Sequence, residues 1–274
     1  MRQFASQRLF IPALLFGFLS ALPATAAAQF QPIGSPAVGE DYHVEAAITW
    51  WNPEPTLVVN SEALGILGTD VDLVGNLGIE QKRIPEIKLV LRPGRRHKFR
   101  VNYLPMKYEA DSTVRTEFIF NGQRYRVGLP VQTTADLTTW RVGYEFDFIS
   151  RDRGYLGVVA DLKYTDVRVD LLSPIGAEFT SQVAPIPTLG LIGRGYLAPN
   201  VSITGEFGYL KVPENLSEDF QGRYIDFDFY GTVNFTNNIG AQLGYRSMDV
   251  FYQDSNDSGT LKFKGWYFGA VARF

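Results

Sequence analysis

With 274 residues the chain is long enough for one large domain or two small ones, and a formal net charge of −3 offers no basic surface for nucleic acid. Cysteine is absent, which excludes disulfide frameworks, thiolate metal sites and cysteine nucleophiles; no lipoprotein-type anchor is expected either. The 20 Phe, 14 Tyr and 4 Trp are a heavy aromatic load for a mean hydropathy of −0.07, so the rings must be spread along amphipathic elements.

In chain order, the first element reads as a signal peptide over 1–28. Arg2 and Arg8 supply a basic start, Leu9 to Leu22 an apolar stretch, and Ala24, Ala26 and Ala28 small-residue cleavage positions, with cutting expected after Ala28. The apolar stretch is shorter than the ~20 residues a spanning helix needs. No later segment is an uninterrupted apolar run of that kind. Residues 29–40 read as a lead, and 41–274 as one domain.

From Asp41 onward the period is two. Trp140-Arg141-Val142-Gly143-Tyr144-Glu145-Phe146-Asp147-Phe148 alternates large apolar residues with polar residues and Gly, and Ile225-Asp226-Phe227-Asp228-Phe229 does the same. Successive strand side chains point to opposite faces, so each such segment has one apolar and one polar face. The chain is therefore all-β. About ten strands are predicted, at 41–51, 84–92, 97–110, 136–150, 154–172, 181–197, 201–212, 222–235, 239–253 and 259–274, with eight or twelve as the neighbouring even counts. In the third, apolar parity moves from Phe99, Val101 and Tyr103 to Met106 and Tyr108, which predicts a β-bulge at Pro105; a similar slip falls near Thr165 and Asp166.

Short and long connections alternate. Pro93 to Arg96, Arg151 to Arg153, Ala198 to Asn200 and Thr236 to Asn238 are rich in turn formers, whereas 52–83, 111–135, 173–180, 213–221 and 254–258 read as longer loops. Aromatic residues fall near both ends of the apolar faces: Trp50, Trp140, Tyr209 and Trp266 by the long loops, Phe99, Phe148, Phe235 and Phe274 by the short turns. Two girdles, short turns on one side and long loops on the other are what a closed antiparallel up-and-down transmembrane β-barrel requires, with both termini on the periplasmic side.

The last strand carries a resemblance. Lys264-Gly265-x-x-Phe268-x-Ala270, ending in Phe274, resembles the terminal β-signal of Gram-negative outer-membrane barrel proteins; Ala270 and Ala272 depart from the larger hydrophobics usual there. The resemblance implies that Gly265, Phe268 and Phe274 serve assembly. It also implies an outer-membrane location, with lipid and lipopolysaccharide around the barrel and the β-barrel assembly machinery and periplasmic chaperones as partners. Oligomeric state is left open.

With apolar faces outward, the lumen receives Glu45, Glu86, Lys88, Arg92, Arg100, Asn102, Arg141, Glu145, Asp147, Asp161, Lys163, Arg194, Glu206, Asp226, Asp228 and Arg246. Buried charges must be paired, so Arg100, Arg141, Glu145, Asp147, Asp161, Lys163 and Arg246 are expected to form a lumen network. The barrel is then structural or a narrow channel. Alternatives are a surface-exposed binding or adhesion barrel acting through its loops and, further off, an outer-membrane protease or lipid A-modifying enzyme. Omptin proteases, also ten-stranded, use acidic pairs with a His near the outer rim. Asp226 and Asp228 are such a pair, placed toward the outer end of the eighth strand, but His43 and His97 begin strands at the periplasmic end. No enzymatic activity, cofactor or metal is expected. The loop 52–83 is unusually apolar, which predicts either a lid in the barrel mouth or a partner surface; its Asp70 and Asp72 are too few for calcium.

Overall fold

The computed structural model describes residues 37–61, 68–212, 220–254 and 257–274; the expected signal peptide, and residues 29–36 of the lead, lie outside the described residues. Ten strands form the wall: β1 (Val44–Asn60), β3 (Ile84–Gly94), β4 (His97–Thr113), β7 (Pro130–Arg151), β8 (Gly154–Ser173), β9 (Gly176–Ala198), β10 (Val201–Lys211), β11 (Phe220–Asn234), β12 (Ile239–Asp254) and β13 (Asp257–Arg273). Each pairs antiparallel with the next, and β13 pairs with β1 from Glu45–Arg273 to Asn60–Ser258, closing the sheet into a barrel. Three short strands lie off the wall sequence: β2 (Val71–Asp72) on β1, and β5 (Phe118–Phe120) with β6 (Gln123–Tyr125) as a separate hairpin.

The side-chain period decides which way the barrel faces. Along β7, Arg141, Glu145 and Asp147 point inward and are buried, while Trp140, Val142 and Phe148 point outward and are exposed. The same sense holds on Leu162 and Tyr164 of β8, Leu189 and Leu191 of β9, Phe227 and Phe229 of β11, and Trp266 and Phe268 of β13. Each such side chain forgoes about 1.5–3 kcal/mol of burial if left in water. That outer surface requires hydrocarbon around it. Aromatic pairs mark the edge of the apolar belt farther from the termini: Trp50 stacks on Phe268 at 5.6 Å, Tyr103 meets Trp140 at 4.5 Å, and Tyr245 meets Trp266 at 5.4 Å.

Several local expectations are corrected. No bulge falls at Pro105, because β4 pairs with β7 without a register shift from His97 to Thr113. Nor is there one at Thr165 and Asp166, where β8 keeps register with both neighbours. What changes is the interior. Lys98, Arg100 and Asn102 face inward in the lower half of β4, and Leu104, Met106 and Tyr108 face inward in the upper half, while Lys107 and Glu109 turn out to solvent. A bulge does occur between Asp147 and Ile149 of β7, where Phe148 and Ile149 are both exposed.

The alternation of short and long connections also fails at two sites. Residues 173–180 are no loop: β8 and β9 meet across Ser173 and Gly176, a tight hairpin at the tip of two long strands. Strand β12 likewise pairs to Asp254 and β13 from Asp257. The apolar belt needs only about ten residues per strand. β7, β8 and β9 have 22, 20 and 23, so their far ends stand well beyond it.

Candidate functional site: a two-layer barrel interior

Inward-facing residues fall into two layers stacked along the barrel axis. The layer nearer the termini is charged. Nine bases (Lys88, Arg92, Lys98, Arg100, Arg141, Lys163, Arg194, Arg246 and Arg273) meet nine acids (Glu40, Glu45, Glu86, Glu145, Asp147, Asp161, Glu206, Asp226 and Asp228). The charges therefore cancel within the layer, as burial demands.

One chain of pairs begins where Lys98 Nζ meets Glu145 Oε1 at 2.6 Å and Asp147 Oδ2 at 2.9 Å. Arg100 continues it to Glu145 at 3.4 Å and to Glu206 at 2.6 Å, and Arg141 joins Glu206 to Asp161, the latter at 2.5 Å. In a second chain Arg246 holds Asp226 at 3.0 Å and Glu86 at 3.1 Å, Lys88 joins Glu86 to Asp228, and Lys163 lies 3.7 Å from Asp226. Strands β4 and β10 are not neighbours in the wall, nor are β3 and β12. Arg100–Glu206 and Arg246–Glu86 are therefore struts across the lumen. All seven residues expected in the network lie in these two chains.

Glycine shapes the packing. A Cβ on Gly143 would lie 1.9 Å from Asp161 Oδ1, so only glycine at that inward position lets the carboxylate lie back against β7 and reach Arg141.

The end carrying the termini is closed by the lead. Glu40 reaches Arg194 at 3.5 Å, the Tyr196 hydroxyl at 2.9 Å and Arg92 at 3.5 Å, and Tyr42 lies against the guanidinium groups of Arg92 and Arg273. Asn234 donates to the Val38 carbonyl at 2.6 Å. Lys98 and Arg273 were absent from the sequence-predicted lumen although strand parity points both inward. Glu40 precedes the first strand, so no periodicity could have found it.

Beyond the charges the interior becomes hydrocarbon. Leu104, Met106, Leu137, Val167, Met248, Leu261 and Phe263 face in from the wall. Two inserts descend onto them. Residues 71–79 bury Val71, Leu73, Leu77 and Ile79, and the β5–β6 hairpin buries Phe118, Phe120 and Tyr125. Asp72 starts the turn of the first insert by accepting from the Val74 and Gly75 N–H groups at 3.0 Å, and Gly78, at φ 74°, ends it. Among its described residues, the apolar segment 52–83 is thus part strand and part lid: β1 runs on to Asn60, and residues 71–79 fold inside the mouth. Asp70 accepts from Asn60 at 3.1 Å.

Between the layers lies a small space of about 10 Å³ bounded by Glu86, Asn102, Arg141, Lys163, Arg246 and Met248. Above it, on the side of β8 to β12, an apolar cavity of about 470 Å³ remains.

Asp226 and Asp228 sit mid-strand in the charged layer rather than toward the rim, because β11 extends outward to Phe220. Asp226 is held by Arg246; Asp228 is held by Lys88 and, at 2.8 Å, by the Tyr267 hydroxyl. His97 is at the other side of the wall, 2.6 Å from the Tyr144 hydroxyl. The residues assigned to assembly lie on the closing seam. Phe268 faces outward against Trp50, a Cβ on Gly265 would lie 2.3 Å from the Asn52 carbonyl oxygen, and Phe274 donates its N–H to Val44 at 2.8 Å.

A ten-strand closed barrel with an apolar outer belt superposes on the outer-membrane protease OmpT of Escherichia coli with a TM-score of 0.54, covering 88% of this chain and 99% of that one at 9% identity. The fold is that of a Gram-negative outer-membrane β-barrel. Ail, the attachment invasion locus protein of Yersinia pestis, in complex with a heparin analogue, gives 0.39 at 11% identity over 85% of this chain and 99% of that one. A FadL homologue of Pseudomonas aeruginosa gives 0.38 at 8% identity over 85% and 91%. At such identities the likeness is one of fold. No protein-family model and no curated protein sequence matches the chain.

Proposed function

We propose that the chain is an integral outer-membrane barrel of the structural type, its lumen closed by its own charges rather than open as a diffusion pore. The ion pairs that cross the lumen, Arg100–Glu206 and Arg246–Glu86, carry this reading, and the small space beside Arg141, Lys163 and Arg246, about 10 Å³, is about the volume one water needs. Cross-lumen struts and the Glu40 cork close the barrel below that point. Small barrels of eight strands have interiors just filled by side chains, and open channels belong to much wider ones. In this reading the terminal strand is delivered by the β-barrel assembly machinery, and lipid and lipopolysaccharide surround the belt. Planar-bilayer recording of protein whose folding is verified by heat-modifiable migration tests it. A silent membrane is expected; discrete open steps from the unmodified protein would overturn it.

The far ends of β7, β8 and β9 favour a second role at the cell surface. They rise past the belt carrying outward Asp136, Asp166 and Arg168, a solvated wall suited to contact with an external partner.

A further inference from the structure

The 470 Å³ cavity has walls of two kinds. Met106, Leu137, Val167, Ile186, Met248 and Phe263 line it from inside the barrel, yet Val183, Pro185 and Pro187 also line it, and these belong to the outward face of β9. Among the described residues, the cavity therefore reaches the edge of β9 where that strand parts from β10.

The strand ladder shows where. Strands β9 and β10 pair only from Ala198–Val201 to Leu189–Tyr209, whereas β9 stays paired with β8 as far as Gly176. Among the described residues, nothing pairs with the β10-facing edge of β9 from Thr188 outward. The two prolines explain why. Tyr196 donates its N–H to Arg153 at the β8 side, and β8 and β9 keep register, so even-numbered residues of β9 hydrogen-bond toward β8 and odd-numbered ones toward β10. Positions 185 and 187 are odd. Proline there removes the donors that a strand on that side would need, and such prolines are confined to open edges. Among the described residues, the sequence thus keeps this edge of β9 free of a ladder partner.

Its height is equally defined. Tyr164 pairs with Pro185 and Tyr209 with Leu189; both tyrosines face outward in the aromatic row at the outer border of the belt. A comparable breach exists beyond the last β1–β3 pair, Trp51–Ile84, beside Pro53 and Pro55, but there the lid fills it: Gln81 donates to the Asn52 carbonyl and Ser112 to that of Leu77. From below, the charged layer stands between the cavity and the end that carries Phe274. The gap beside β9 gives a hydrophobic occupant a direct way in from the belt.

We propose that this cavity binds an acyl chain of a membrane lipid, which enters sideways between β9 and β10 with its headgroup left at the aromatic border. Its volume lies within the ~300–1,000 Å³ usual for ligand pockets. The proposal is independent of whether the charged layer conducts.

Photolabelling tests it. The full-length protein is folded into nanodiscs of phosphatidylglycerol bearing a diazirine in mid-chain, irradiated and digested for mass spectrometry. Label is expected on inward Met106, Leu137, Val167 and Met248 as well as on the belt residues Leu189 and Leu191. Label confined to outward residues would overturn the proposal. Leu137→Trp and, separately, Val167→Trp should fill the cavity and remove the inner label while leaving the belt label; persistence of inner label in a folded variant also counts against it. Should both variants fail to fold, the wild-type map still decides. In a further arm, a soluble short-chain lipid with the same diazirine is added to nanodiscs of unlabelled lipid. Interior labelling without belt labelling would show access from the aqueous end and refute the lateral route.

Discussion

Arg141→Ala isolates the energetic role of the charged layer. Asp161 is buried, and among the described residues Arg141 is its one ion-pair partner, at 2.5 Å. Glu206, the other anion on Arg141, keeps Arg100 at 2.6 Å. The substitution thus orphans one carboxylate, and breaking a buried pair in this way costs about 3–5 kcal/mol. Asp161→Asn in the same background removes the orphaned charge while keeping the shape, so it should recover much of that loss, with a coupling of about 0.5–3 kcal/mol. Lys107→Ala is the control. Its partner Glu109 is 2.8 Å away but both side chains are more than half exposed, and exposed pairs contribute about 0–1 kcal/mol. Urea unfolding of the three variants in lipid vesicles, followed by tryptophan fluorescence, gives the comparison. The reasoning fails if Arg141→Ala moves the midpoint no further than Lys107→Ala, or if Asp161→Asn gives no rescue.

Three further outcomes are expected. Gly143→Ala should lower the unfolding midpoint because its methyl displaces Asp161 from Arg141, whereas Gly205→Ala, whose nearest neighbour is 3.8 Å away, should stay within about 0.5 kcal/mol of wild type. Because the chain has no cysteine, single-cysteine labelling has no background: Ile175→Cys at the β8–β9 tip should react with an impermeant thiol reagent on whole cells and Asn237→Cys should not, the opposite preference reversing the orientation. Phe274→Asp forfeits about 1.5–3 kcal/mol of aromatic burial, which most folded protein survives, so a large fall in outer-membrane abundance on heat-modifiability gels would report the assembly signal, and unchanged abundance would remove it.

Period-two alternation carries much of the architecture, since it gives the strands, the closed barrel and the inward side of residues such as Arg141 and Glu145. It misleads where the surroundings change along one strand. From Phe99 to Tyr103 the apolar residues of β4 face lipid; from Leu104 to Tyr108 they face the interior, while Lys107 and Glu109 take the outside. Inside and outside exchange polarity together, which looks in sequence like a one-residue slip but leaves the ladder intact. The inversion at Pro105 and again at Thr165 therefore marks the outer limit of the belt, not a bulge. Residues 173–180 and 254–258 read as loops because turn formers (Ser173, Pro174 and Gly176; Asp254, Asp257 and Ser258) gather at strand tips that the ladder nevertheless reaches. Cross-lumen partners such as Arg100 and Glu206 depend on stagger accumulated over four strands, which one strand's pattern does not contain.

The seam between β1 and β13 brings together residues more than two hundred positions apart, down to Phe274, whose N–H bonds to Val44 and whose carbonyl accepts from His43 and Val44. Such non-local pairing makes slow folding. Until the last strand arrives, two naked edges stand at either side of an open sheet, each able to recruit the wrong partner. The first residues of the wall must wait for the last, so synthesis and closure are separated in time, and the chain needs protection through that interval more than it needs any help once shut.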